Sequence, residues 1–227
     1  ALQSGAVWVV AMLLSSLLSS VLYTKFRRFI ARGRSSTRSL VTLSFALIAP
    51  AVGFATAIVY LFPESAQLLV FPHCHGAECG SHVPLVTVSS LGSIVLLAAT
   101  SLLLFALIGG LTRLLVVGRR RLATLFLLGD RIGGAPDHLV VDSDQSFAWC
   151  CGLLDQRLVL SSKLVEQLSP VQLQAVLAHE REHASRFDNL RNLTARLASV
   201  FWLPSRRRRL IDDLRDDAEE CCDAAAW

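Results

Sequence analysis

Three long stretches of the chain contain no Asp, Glu, Lys or Arg: Ala1–Thr24, Ser39–Pro63 and Cys79–Thr112. A helix needs about 20 apolar residues to cross the hydrocarbon core of a bilayer, so each stretch is long enough to span one. Transmembrane helices are expected at about 6–23, 40–62 and 84–108. Pro50 and Gly53 are tolerable inside such a helix where neighbouring groups satisfy the freed backbone. The rest of the composition agrees: only 18% of residues are charged, against about 25% in ordinary globular domains. A chain of 227 residues has little else with which to bury three such helices as a soluble core. The first stretch reads as a span rather than a signal peptide, because no basic residue precedes it and no A-x-A sequence follows.

The positive charges are clustered. Lys25, Arg27, Arg28, Arg32, Arg34 and Arg38 follow the first stretch, and Arg113 and Arg119–Arg121 follow the third. Between Pro63 and Pro84 there are Glu64 and Glu78 but no Lys or Arg. Basic residues stay on the cytoplasmic side. The expected topology therefore has the N-terminus outside, the first loop inside, 63–84 outside and everything after Gly118 inside. Residues 1–118 form a membrane region and 119–227 a cytoplasmic domain. Contact with lipid headgroups accounts for the net charge of +4, without nucleic acid. Cys74 and Cys79 fall outside, where a short disulfide is expected. His73, His75 and His82 beside them offer a metal site as the alternative. Cys150, Cys151, Cys221 and Cys222 fall inside and stay reduced.

After the turn-rich segment Asp130–Pro136, three short apolar segments follow at His138–Asp142, Phe147–Cys151 and Gln156–Ser162. They predict a small antiparallel sheet. Ser169-Pro170-Val171-Gln172 is a helix start, with a capping hydroxyl, a proline at the first helical position and a Gln where a capping box needs one. The spacing of Leu173, Val176, Leu177, Leu190, Leu193, Leu197 and Val200 predicts one helix running to Pro204. A second helix is expected to begin within Arg206–Leu210 and to carry LIDDLRDDAEECCDAAAW. The uncharged stretch Leu197–Leu203 is too short to span and reads as a core or membrane-surface segment, with Arg206–Arg209 beside it.

The first of these helices contains His179-Glu180-Arg181-Glu182-His183. Its two histidines stand one turn apart on one face, close enough to share a tetrahedral zinc. Glu180 is placed to act as base for a water that the metal activates. The bland alternative is a solvated face, with Glu182 and Arg186 as an i,i+4 pair. A metal site needs a third ligand, and the second helix is acidic. Glu219 and Asp223 share a face there, so that one can bind metal while the other orients a histidine. Glu220 points about 100° away, while Asp212, Asp213, Asp216 and Asp217 remain rivals.

The segments VLAHEREHASRFDNLRN and EECCDA resemble the membrane zinc peptidases of the BlaR/MecR type, peptidase family M56. These are relatives of HtpX and the CAAX prenyl endopeptidases of family M48. The resemblance implies a multi-pass α-helical membrane protein with an α+β, zincin-like cytoplasmic metallopeptidase domain. It assigns Zn2+ to His179, His183 and Glu219, the base to Glu180 and a supporting place to Asp223. Arg186 and Asp188 match the family's extension of the motif, as supporting residues, and GLLDQRLVLSS resembles its strand segment. The implied function is hydrolysis of a protein or peptide at the cytoplasmic face, either of a cytoplasmic repressor in signalling or in membrane protein quality control. The rival from another class is a non-catalytic membrane sensor or scaffold whose structural metal is closed by a fourth protein ligand, for which Cys221 and Cys222 are near enough. Tyr23 and Tyr60 fall in expected spans, which leaves His138, an arginine, the metal or a residue beyond Trp227 in a longer protein to stabilise an oxyanion.

Overall fold

The computed structural model describes residues 2–61, 73–75, 78–80, 108–110, 112–113, 115–120, 123–124 and 138–227. The first two helices, α1 (Leu2–Ile30) and α2 (Ser35–Leu61), pack against each other. Their polarity is inverted relative to a water-soluble pair. Ser16, Ser19, Ser20 and Tyr23 recur at helical spacing and are buried, as are Ser39, Thr42, Ala46 and Ala49 on α2. Leu13, Leu14, Leu17 and Leu18 face outward. Two of the buried serine hydroxyls donate to carbonyls one turn back, Ser19 to Ser16 and Ser20 to Leu17. At Gly53 the helices approach so closely that a Cβ would collide with Met12. By length and composition, Val9–Ile30 and Ser35–Thr56 can each cross a membrane. The expected third span, 84–108, lies outside the described residues except for its last position.

Strands β1 (His73–His75) and β2 (Glu78–Gly80) pair antiparallel, with Cys74 opposite Cys79 in the backbone register. A second sheet is built from β3 (His138–Val141), β4 (Ala148–Cys151) and β5 (Arg157–Ser161), in the order β3-β5-β4. It is mixed rather than antiparallel as expected: β4 pairs antiparallel with β5, but β3 runs parallel to β5. The turn from β4 to β5 forces the antiparallel pair. Gly152 makes it possible, with φ of 103° and no room for a Cβ beside the Asp155 carbonyl. β3 then takes the remaining edge of β5. The central strand is buried throughout Leu158–Ser161.

Ser161 ends β5 and caps α3 (Ser162–Gln167), its hydroxyl accepting from the Leu164 N–H. Helix α4 (Pro170–Arg186) starts with the complete capping box of Ser169 and Gln172, and Pro170 stands in its first turn, as expected. Leu173, Leu177 and Ala184 of α4 pack on Leu158 and Leu160 of the sheet. The helix does not run on to Pro204. It stops at Phe187, whose backbone turns left-handed at φ 56° and ψ 42°, and α5 (Asp188–Ala198) leaves in a new direction. Continuous apolar spacing hid this break, because no glycine or proline marks it. Pro204 neither ends nor kinks a helix: it stands in the first turn of α6 (Pro204–Ala226).

A second core joins the two long helices to the C-terminal ones. Tyr23 and Ala46 meet Ala195, Trp202, Leu210, Ile211 and Leu214. Around it runs a buried ion network. Arg27 places Nη1 and Nη2 at 3.0 and 3.1 Å from the two Asp217 oxygens. Arg38 adds Nε at 2.8 Å from Asp217 and reaches Glu220 with Nη2. Arg27 also lies 3.2 Å from Asp213, to which the Tyr23 hydroxyl donates at 2.6 Å. These arginines belong to the cluster read as headgroup contacts, but their side chains are only 12% and 14% exposed. Removing one member of such a buried pair costs about 3–5 kcal/mol, because the other charge is left without a partner.

Candidate metal centre

The sheet holds one side of α4, and the opposite side carries His179 and His183 with ring centroids 5.0 Å apart. Helix α6 crosses this face. Its Glu219 carboxylate lies 3.4 Å from Nε2 of His179 and 3.7 Å from Nε2 of His183. The other ring nitrogens are occupied. Nδ1 of His179 lies 3.1 Å from Asp223, and Nδ1 of His183 lies 2.9 Å from Asp188. A proton on each Nδ1, shared with its carboxylate, leaves the Nε2 lone pairs free on the side of Glu219. That is the arrangement by which outer carboxylates orient histidine ligands and raise their basicity.

Asp188 owes its place to the left-handed residue before it. The reversal at Phe187 brings the carboxylate back under His183, where it also accepts from Arg186 Nε at 3.4 Å. This contact raises the affinity of His183 for a proton above its ordinary value, against the opposing effect of burial. Asn189, next in sequence, donates to the carbonyls of Cys150 and Gly152 and ties the start of α5 to the end of β4.

Glu180 is half-buried between α4 and β4. Burial raises its carboxyl above the ordinary range, the two histidines oppose the shift, and the backbone of Cys150 hydrogen-bonds it. Cys222 is also present. Among the described residues, His179, His183 and Cys222 bring potential ligand atoms within 4.8 Å of one another. The Cys222 sulfur is fully buried, 4.0 Å from Asp188, and burial pushes its thiol up to about 12. The donors suit a metal ion: imidazole nitrogens held by carboxylates, with a carboxylate and a thiol as candidates for a further bond.

His179, His183, Glu219 and Asp223 are thus brought together, with Glu180 beside them. Glu220 turns away toward Arg38, as expected, and Asp213 and Asp217 are engaged by Arg27 and Arg38, which removes two of the four acidic rivals. Tyr23 is buried against Asp213 rather than aimed at the histidines. His138 lies on β3, separated from β4 by β5. The role of Asp188 as partner of His183 was not assigned from the sequence. Its signal was there, an acidic residue five positions after the second histidine, but only the break at Phe187 makes that spacing a contact.

Residues 130–206 match the model of peptidase family M48. The expected membership in the BlaR/MecR type, family M56, is corrected by this match: the likeness is to M48. The matched segment contains the sheet, His179, Glu180 and His183, and ends before Glu219 and Asp223. No curated protein and no solved structure matches the chain. The M48 likeness and the cluster around His179 and His183 together support a metal-dependent enzyme.

Proposed function

We propose that the chain is a membrane-embedded zinc endopeptidase, in which His179, His183 and Glu219 hold the ion and Glu180 is the general base. One observation carries this reading: both Nε2 atoms face a single carboxylate while both Nδ1 atoms are held by others. When bound, zinc supplies Lewis acidity, which polarises a peptide carbonyl and makes water acidic near neutral pH. Glu180 takes the proton released as water adds to that carbonyl and delivers it to the departing amine. Among the described residues β4 is an edge strand, beside Glu180, and an extended substrate can align along it through backbone hydrogen bonds.

In this reading residues 1–118 form the membrane region and 119–227 the peptidase domain, at the cytoplasmic face. The buried serines and outward leucines of α1 and α2 support the membrane part, since helices in lipid pack through small residues and expose large apolar ones. The clustering of Lys and Arg in the first loop supports the orientation. The substrate is a protein or peptide. A cytoplasmic repressor was expected on the M56 likeness and loses its support with it. Replacing Glu180 with Gln in purified protein should abolish peptide hydrolysis and keep about one zinc per chain. Hydrolysis that survived the change would overturn the mechanism.

The cluster formed with Cys222 favours a second reading, a structural metal closed by four protein ligands. A sulfur ligand in the metal-loaded protein, together with absence of hydrolysis, would establish it over the first.

A further inference from the structure

Helix α6 carries its acidic residues on two faces. Glu219 and Asp223 face the histidines, whereas Asp213, Asp217 and Glu220 follow each other at helical spacing toward α1 and α2. The two stripes lie roughly 105° apart at about 100° per residue. On the wider arc between them, Leu210, Ile211, Leu214, Ala218 and Cys222 are buried, and the narrow one holds the exposed Asp212 and Asp216. Apolar packing locates a helix but has no direction, so it fixes rotation about the axis only loosely. Guanidinium forks do have direction. Asp217 is gripped by two of them, one from each long helix, and its side chain is only 2% exposed.

We propose that Arg27 and Arg38, closing on Asp217, are positioning residues for the metal centre: they set the rotation of α6 and so place Glu219 and Asp223 against His179 and His183. The proposal rests on the metal-site reading above. Asp217 and Glu219 stand two positions apart on one helix, so the two side chains move as parts of a rigid rod. At a side-chain radius of about 5–6 Å, a rotation of roughly 10° displaces a carboxylate by about 1 Å. That is enough to take it out of bonding range of a metal. The burial of the network fits the same role. Buried ion pairs rarely outdo apolar packing in stability, whereas they do restrict geometry.

The test uses the full chain in detergent micelles, with zinc affinity read by chelator competition and site geometry by the visible absorption of the cobalt(II)-loaded protein. Asp217→Asn, nearly isosteric, and Arg38→Gln, which removes the charge and the fork, should each weaken zinc binding about 10- to 100-fold, as loss of an orienting partner does. Both should alter the cobalt spectrum, and the double variant should lose little more than either single one. Arg38→Lys keeps the charge but not the fork, and should fall between wild type and Arg38→Gln. It carries the test should the other variants not fold. Wild-type zinc affinity and an unchanged cobalt spectrum, whatever the thermal stability, would overturn the positioning role. The underlying reading fails in a different way: His179→Ala would then bind zinc as tightly as the wild type.

Discussion

Asp223 lies 3.1 Å from Nδ1 of His179, one helical turn beyond the Glu219 carboxylate that approaches Nε2 of the same ring. One imidazole is therefore held from both ends by a single helix. Asp223→Asn keeps the shape but offers His179 a weaker acceptor. Zinc affinity should fall about 10- to 100-fold, measured by chelator competition, while Asp223 itself provides no metal bond. An unchanged affinity would remove it from the site.

Glu219 and Cys222 compete for the third place, and substitution separates them. Glu219→Gln should lose zinc by at least about tenfold, whereas Cys222→Ala should retain it. The cobalt(II)-loaded wild type should lack the intense near-ultraviolet band of a thiolate ligand. Both Nε2 atoms face the Glu219 carboxylate, at 3.4 and 3.7 Å, whereas the Cys222 sulfur lies 4.0 Å from Asp188 on the buried face of α6.

Leu17 is 47% exposed on the outer face of α1. In water, Leu17→Lys would be harmless. In a bilayer a Lys near a span's centre costs about 2.5–3.5 kcal/mol on insertion. The substitution should lower the fraction recovered with membranes after alkaline extraction. Recovery equal to that of the wild type would place this face in water.

Gly152→Ala should destabilise the fold by roughly 1–3 kcal/mol, read as a lower unfolding midpoint. The residue is held at φ 103°, and the added methyl meets the Asp155 carbonyl. Because the same turn anchors Asn189, hydrolysis should decline with it.

Much of the site was legible in the sequence because its chemistry is local. The one-turn spacing of His179 and His183, the capping box at Ser169 and the shared face of Glu219 and Asp223 are properties of single helices. What escaped was relational. The arginines of the first loop read as headgroup contacts, since nothing in their spacing reveals that Arg27 and Arg38 meet carboxylates on a helix far along the chain. The mixed sheet escaped because strand order depends on the path between strands rather than on their composition. The end of α4 escaped because a left-handed phenylalanine carries no sequence mark.

That phenylalanine has a consequence for the order in which the centre assembles. A left-handed residue with a side chain costs roughly 1–2 kcal/mol, and what it obtains is a contact between residues five apart, His183 and Asp188. Such short loops close quickly. The helix bringing Glu219 has to arrive from further along the chain, and the arginines that grip it are 179 and 190 residues from Asp217. Half of the centre can therefore form while the chain is still being synthesised, and the remainder only after α6 has emerged. A nascent chain ending near Pro204 would carry both histidines in place and still be inert.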